Sequence, residues 1–257
     1  MKIENYGNSE RLSRVMRLLV DRAERGELPA WVERVVLLPI PSARDGVHIT
    51  GTDKLMCEVL LDVERGDLVA GYGIPEEDAE IIRAAGGVLY DAARDESFLN
   101  ENSRLSALGA TGFLITESGY DLRGAKIGLV GWGRIGSRLG GMLTFHGAEL
   151  KVFTTSERTR IALGSCGVGT VRIDSGGGAI PVEGLDILIN TAPIPLSDTF
   201  ESGAVEGGLY VLDLASGEPF RGVRGVNKLP SIPDRFFPDA AARAFFSGLM
   251  AALEVAV

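Results

Sequence analysis

Gly131, Gly133 and Gly136 stand in the spacing G-x-G-x-x-G inside the stretch KIGLVGWGRIG, which runs from Lys126 to Gly136. The chemistry open to that pattern is the cradling of a pyrophosphate. The first glycine permits a tight turn, the second lets backbone approach the phosphates, and the third lets helix and strand pack closely. Free N–H groups at the helix start would then face the phosphates, aided by the helix dipole. A chain with 34 glycines can produce this spacing by chance, so the flanks decide. Lys126–Val130 reads as a short buried strand, and Ile135, Leu139, Met142 and Leu143 begin an apolar helical stripe. Asp121-Leu122-Arg123-Gly124 makes a turn before the strand, and Glu149–Phe153 reads as a second strand. A domain of this kind that has lost its nucleotide would read the same way.

In a dinucleotide fold the second strand usually ends in a carboxylate that binds the adenosine ribose. Here that place reads Phe153-Thr154-Thr155-Ser156-Glu157-Arg158, with Arg160 beyond. Hydroxyls and guanidinium groups suit a 2′-phosphate, so NADP is expected over NAD, with NAD still open. The competing account of Thr155 or Ser156 is a helix N-cap. Asn190-Thr191-Ala192-Pro193 and Asp213-Leu214-Ala215-Ser216-Gly217 both end strong buried strands. Ligands of open α/β sheets bind outside those carboxyl edges, so both loops should border the nicotinamide unless they are plain strand-ending turns.

On the substrate side the candidate is the loop Pro39-Ile40-Pro41-Ser42-Ala43-Arg44-Asp45-Gly46. It follows a strand and offers a hydroxyl, Ser42, and a guanidinium, Arg44, suited to a carboxylate. Asn102 lies where the first half of the chain meets the second. Neither histidine gains a role: His146 sits at a helix end before Gly147, where an imidazole caps carbonyls, and His48 stays unassigned. No His/Cys/carboxylate group has zinc spacing, so no metal site is expected. Gly-x-Ser-x-Gly is absent, which argues against a hydrolase elbow. No general acid or base can be named.

The elements that must position these residues alternate. Ser9–Arg25 is helical by its Leu12, Val15, Met16, Leu19, Val20 stripe, so the chain enters a helix almost directly. Arg34–Pro39, Leu68–Tyr72 and Val88–Tyr90 read as strands, with helices at Asp53–Glu64 and Pro75–Ala85 between them. Asn102–Thr116 is a linker helix into the glycine unit. A helix near Glu157–Leu163, weak strands at Gly169–Ile173 and Val223–Asn227, strong ones at Asp186–Asn190 and Tyr210–Asp213, and a terminal helix Pro238–Leu253 follow. The alternation predicts an α/β protein of two Rossmann-like lobes with parallel sheets. Residues 1–104 form the smaller, substrate lobe, and 105–257 the dinucleotide-binding lobe with the terminal helix.

The 257 residues suffice for two modest domains. A net charge of −9 argues against a nucleic-acid partner, which would want a basic face. No apolar run reaches the ~18 residues of a membrane span, and no signal-peptide core opens the chain. Cys57 and Cys166 are far apart and read as free thiols of a reducing cytoplasm.

With both lobes placed, the chain resembles the A-type polypeptide of dipicolinate synthase. The resemblance rests on LPIPSARDG, GYGIP, ARDESFLNENS, DLRGAKIGLVGWGRIG, DILINTAP, LYVLDLAS and NKLPSIP. The glycine block by itself also looks like the NAD-binding domain of D-2-hydroxyacid dehydrogenases. The resemblance implies an NAD(P)-dependent oxidoreductase moving hydride on a small cyclic dicarboxylate such as hydroxytetrahydrodipicolinate, in a sporulation-like setting, with a flavoprotein-like second subunit. It implies that Gly131, Trp132, Gly133, Arg134 and Ile135 bind pyrophosphate. Thr154, Thr155, Ser156 and Arg158 would hold the adenosine end, and Thr191, Ala192, Pro193, Leu214, Ala215 and Ser216 would line the nicotinamide. Ser216 stands where the hydroxyacid dehydrogenases carry arginine, and no late histidine exists, which sets that activity aside. The rival class is a non-catalytic dinucleotide-binding regulatory or partner subunit. Either class is compatible with a homodimer.

Overall fold

The structure is a computed structural model, and it describes residues 1–255. The chain divides into two compact units, residues 1–102 with 233–257 and residues 103–232.

The first unit is built on a four-stranded parallel sheet, β1 (Lys2–Asn5), β2 (Arg34–Leu37), β3 (Asp67–Gly71) and β4 (Val88–Asp91), in that order. Alternation along the strands gives each face its own core. Val35, Leu37, Leu68 and Ala70 meet α1 (Glu10–Glu24) and the terminal helix, while Val36, Leu38 and Val69 meet α2 (Met56–Leu60) and α3 (Glu76–Ala84). Ser9 caps α1 by accepting from Leu12 N at 3.2 Å.

Three expectations need correction. The chain does not start in a helix: β1 comes first and pairs with β2 from Lys2↔Arg34 to Asn5↔Leu37. Its one apolar residue inside, Ile3, is too little pattern to announce a strand. The helix over Asp53–Glu64 contracts to α2. The terminal helix, Pro238–Val255, belongs with the first unit, where Ala242, Phe245, Leu249 and Leu253 pack with Leu12, Val15 and Leu19. Its apolar stripe shows that one face is covered but not by which sheet.

The second unit has a six-stranded parallel sheet. Its strands are β5 (Lys126–Val130), β6 (Glu149–Thr154), β7 (Gly169–Arg172), β8 (Ile187–Asn190), β9 (Tyr210–Asp213) and β10 (Val226–Lys228). Their spatial order is β10-β9-β8-β5-β6-β7. The chain runs outward from β5 to β7, then returns to β8 on the other side of β5, so the order reverses between β5 and β8. That is the topological switch point of a doubly wound sheet. Ile127, Leu129, Ile187, Ile189 and Leu212 form one core with α4 (Glu96–Glu117) and α5 (Arg134–Phe145). On the opposite face Val130, Phe153, Leu188 and Val211 are covered by Ile180, Leu196, Phe200 and Phe220. These last four lie outside any α-helix: β7–β8, β8–β9 and β9–β10 connect by irregular segments and one 3₁₀ turn, Ser197–Thr199. No helix among the described residues is long and apolar enough to cross a membrane.

Candidate functional site

The three glycines divide their work as the spacing predicts. Gly131 ends β5 at φ +90°, a conformation that glycine adopts without strain. A Cβ there would sit 2.7 Å from Thr191 Oγ1. Gly136, one turn into α5, faces the Gly131 carbonyl oxygen so closely that a Cβ would collide with it. Gly133 is the N-cap of α5, and a Cβ on it would meet no protein atom within 4 Å. Two glycines are thus required by the protein's own packing. The middle one borders open space at a helix N-terminus, where an anion is favoured.

Thr191 ties the switch point together. Its N–H donates to Val130 O at 2.9 Å and its hydroxyl to the same oxygen at 2.8 Å. Arg134 and Ile135 open α5. Trp132 turns its ring back onto Gly140 of α5, where a Cβ would clash with it, so only its backbone remains for a phosphate.

The last rung of the sheet changes character at the switch point. Val171, Phe153 and Val130 are followed across the strands by Asn190, Asp213 and Lys228. Asn190 Nδ2 donates to Asp213 Oδ1 at 2.9 Å, and Asn190 Oδ1 accepts from Ala192 N at 3.0 Å. Asp213 Oδ1 also accepts from Ala215 N at 3.1 Å, and Lys228 Nζ lies 3.5 Å from Oδ2 while donating to the Gly217 carbonyl. These bonds fix the loops Thr191–Pro193 and Leu214–Ser216 relative to each other. A groove of ≈ 360 Å³ runs beside them, lined by Pro193, Ile194, Pro195, Ser216, Gly217, Glu218 and Pro219.

At the other end of the edge, Thr154 is buried and accepts from Ser156 N at 3.1 Å. Ser156 caps α6 (Glu157–Ser165), accepting from Thr159 N at 3.2 Å. Arg160 is engaged with Glu157 through two contacts of 2.8 and 2.6 Å, whereas Thr155 and Arg158 point into solvent. That pairing with Arg160, helped by the charge of Arg172, holds the Glu157 carboxyl below its usual range. Arg172 is the residue the sequence did not suggest. It ends β7 directly beside Thr154, a juxtaposition set by strand register and invisible in a linear reading. A hollow of ≈ 260 Å³ adjoins it, lined by Val171–Asp174, Gly177–Pro181, Ile194 and Leu196.

The substrate-side candidates separate. Ser42 is fully buried; it accepts from Tyr72 N at 2.8 Å and donates to Pro39 O at 3.2 Å, so its hydroxyl clamps the loop and is not available to a ligand. Asn102 accepts from Arg11 NH2 at 3.0 Å. That guanidinium is buried, pairs with Asp234 Oδ2 at 2.8 Å and stacks 5.7 Å from the Phe98 ring. Asn102 is thus a partner of a structural cation rather than an exposed ligand group. Arg44 is exposed. On the same loop Asp45 Oδ1 accepts from Val47 N and His48 N at 2.9 and 2.8 Å, while Oδ2 lies 2.8 Å from His48 Nδ1. Those bonds, the backbone one to Val47 foremost, hold the Asp45 carboxyl well below the usual range. The His48 side chain is half-exposed. Among the described residues no group of three or more His, Cys, Asp or Glu could hold a metal ion.

A parallel, doubly wound sheet with a glycine turn at its switch point gives the second unit a Rossmann-like α/β fold. The fold is shared with the A-type polypeptide of dipicolinate synthase from Bacillus halodurans, at 18% identity and a TM-score of 0.73, over 98% of this chain and 97% of that one. The same polypeptide of dipicolinate synthase from Bacillus subtilis matches at 18% identity and a TM-score of 0.71, over 99% and 97%. A transhydrogenase from Sinorhizobium meliloti matches at 18% and 0.52, over 86% and 74%. The resemblance drawn from the motifs is therefore met by the fold of nearly the whole chain. The sequence matches no protein-family model, and no curated protein matches it either.

Proposed function

We propose that this protein is an NAD(P)-dependent oxidoreductase whose second unit binds the dinucleotide along the carboxyl edge of β5–β9, with NADP preferred. The observation that carries the reading is the division among the three glycines: Gly131 and Gly136 are explained by packing, while Gly133, the N-cap of α5, leaves open space that a phosphate would fill. The residues fit the group. Backbone N–H groups of Trp132–Ile135 would take the pyrophosphate. Thr155, Arg158 and Arg172 would take the 2′-phosphate, with the hollow beside Arg172 for adenine, and the loops clamped by Asn190 and Asp213 would flank the nicotinamide. When bound, the cofactor would supply or accept hydride.

The substrate class follows by analogy with the synthase structures: a small cyclic dicarboxylate. In this reading Arg44 takes a carboxylate by a bidentate contact that lysine cannot reproduce. A cytoplasmic setting and a flavoprotein-like second subunit belong to the same proposal.

Calorimetric titration with NADPH and NADH tests it. NADPH is expected to bind more tightly than NADH, and Gly133→Val to abolish both without unfolding the protein. Absence of binding by either nucleotide overturns the reading. The second reading, a dinucleotide-binding partner or regulatory subunit, is favoured by the loss of Ser42 and Asn102 as substrate ligands. Tight NADPH binding with no turnover of dicarboxylates would select it.

A further inference from the structure

We propose that a hollow at the carboxyl end of β9 and β10, in the second unit, binds a small α-amino acid with an aliphatic side chain. The hollow encloses ≈ 500 Å³, with Asp213 and Lys228 on its strand side and Glu218 and Phe220–Val223 opposite. Small-molecule sites occupy about 300–1,000 Å³. Its walls are held by the chain's own turns. Arg221 N donates to Glu218 O at 3.2 Å and Val223 N to Phe220 O at 3.0 Å. These turns press Phe220 into the core, 6.1 Å from the Phe200 ring, and Val223 and Val226 pack against the same cluster. Asn227 Nδ2 donates to Val211 O at 3.1 Å and so ties β10 to β9.

The charged side follows from strand alternation. Val211 and Val226 share one face of the sheet, so Asp213 and Lys228, two residues further on, share it too and stand opposite each other in register. Lys228 Nζ lies 3.5 Å from Asp213 Oδ2, beyond the ~2.7–2.9 Å of a charge-assisted hydrogen bond. Asp213 is buried, and its Oδ1 is engaged by Asn190 Nδ2 and Ala215 N. Among the described residues Oδ2 has no closer polar partner than Lys228. The ammonium has three donors, of which one goes to the Gly217 carbonyl. Each member of the pair thus keeps capacity for a ligand.

Three features select the ligand class. First, the two protein charges are opposite in sign and 3.5 Å apart. An α-amino acid carries its ammonium and carboxylate on one carbon, so the ammonium can meet Asp213 Oδ2 while the carboxylate meets Lys228 Nζ. A ligand with its charges at opposite ends of a chain cannot meet both. Second, the lining carries two carboxylates, Asp213 and Glu218, and two cations, Arg221 and Lys228. A zwitterion leaves that balance intact, whereas a dianion meets two carboxylates with no excess of cations. Third, Phe220, Val223 and Val226 give the hollow an apolar wall for an aliphatic side chain.

The test is titration of the full chain with L-leucine, followed by calorimetry and by backbone amide shifts. Saturable binding is expected, with shifts moving at Phe220–Val223 and Val226–Lys228. Isocaproate lacks the ammonium, isoamylamine the carboxylate, glycine the side chain, and γ-aminobutyrate the close spacing of charges. Each should bind about tenfold more weakly or worse, the size of one charge-assisted hydrogen bond or a few buried methylenes. These comparisons use the wild-type chain and need no variant. Lys228→Gln should weaken leucine by a similar factor, with circular dichroism checking that the variant folds. Saturating NADPH should leave leucine binding in place. Absence of saturable leucine binding overturns the proposal. So does equal affinity for leucine and isocaproate, tighter binding of glutarate than of leucine, unchanged affinity in a folded Lys228→Gln variant, or displacement of leucine by NADPH. Leucine binding to a chain that takes neither NADPH nor NADH would overturn the dinucleotide reading and leave this one standing.

Discussion

Asn190 and Asp213 face each other on the last rung of adjacent parallel strands, amide nitrogen 2.9 Å from carboxylate oxygen, and both are buried. Each side chain also accepts from the backbone two residues further on, at Ala192 and Ala215. The pair therefore converts strand register into loop position: whatever rests on Thr191–Pro193 and Leu214–Ser216 is held by one buried contact.

That arrangement predicts a coupled loss. Asn190→Leu leaves Asp213 Oδ1 without its side-chain donor and the Ala192 N–H without its acceptor. An unsatisfied buried polar group costs about 1–3 kcal/mol, so urea unfolding should show a destabilisation of that order. NADPH affinity should fall as well, because the loops proposed to flank the nicotinamide lose their tie. A variant with normal stability and normal affinity would show that the contact does not set the loops.

The glycines allow a sharper separation. Gly136→Ala puts a methyl against the Gly131 carbonyl, and overpacking of this kind costs about 1–3 kcal/mol. Gly133→Ala meets only open space in the protein. Thermal unfolding should therefore shift for Gly136→Ala and stay near wild type for Gly133→Ala, whereas nucleotide titration should be impaired in both. Equal stability losses would mean that Gly133 is also required by packing.

How far these residues are legible depends on the range of the interaction that fixes them. The β5–α5–β6 unit announces itself because its glycines act within six residues of one another. Ser42 and Asn102 mislead for the opposite reason. Their residue types suit a ligand, but Ser42 is engaged by Tyr72, thirty positions away, and Asn102 by Arg11, ninety-one away. Arg172 escapes a linear reading because only the β6–β7 register sets it beside Thr154. Lys228 joins Asp213 by the same kind of cross-strand pairing. The terminal helix falls to the wrong unit in the sequence because amphipathic spacing records that a face is buried and nothing about its neighbour.

Tyr90 gives a pH-dependent prediction for the first unit. Burial, and then the bond of its hydroxyl to Asp95 Oδ2 at 2.9 Å, push the phenol well above its usual 10.0. Its ring also meets Phe245 edge-on at 5.1 Å. In the folded protein the phenol keeps its proton, while the unfolded chain releases it from about pH 10. The unfolded state then binds fewer protons, so stability is full below about pH 10 and declines above it, by at most about 1.4 kcal/mol per pH unit. Urea unfolding from pH 9 to 11 should show that decline, and Tyr90→Phe should flatten it while lowering stability at neutral pH. An unchanged slope in the phenylalanine variant would assign the dependence elsewhere.

The last prediction concerns cofactor choice. The end of β6 carries no carboxylate to receive an adenosine 2′-hydroxyl, and Thr154 and Ser156 are occupied by the turn and the helix cap. What remains pointing outward is Thr155 with two guanidinium groups, Arg158 on α6 and Arg172 on β7. Arg160 is drawn to Glu157 and should contribute little. A charge-assisted hydrogen bond contributes about 1.5–3 kcal/mol before screening by solvent. Both groups are exposed, so the lower part of that range applies, about tenfold in affinity for each arginine. Arg158→Ala and Arg172→Ala should each weaken NADPH by about that factor and leave NADH unchanged, and the double variant should bind the two nucleotides about equally. Arg160→Ala is the internal control, since it removes a cation from the same helix without touching the phosphate. The preference should also shrink with added salt, as expected for exposed charges. Loss of NADH and NADPH affinity in parallel would show that the arginines support the fold of the edge rather than the choice of cofactor.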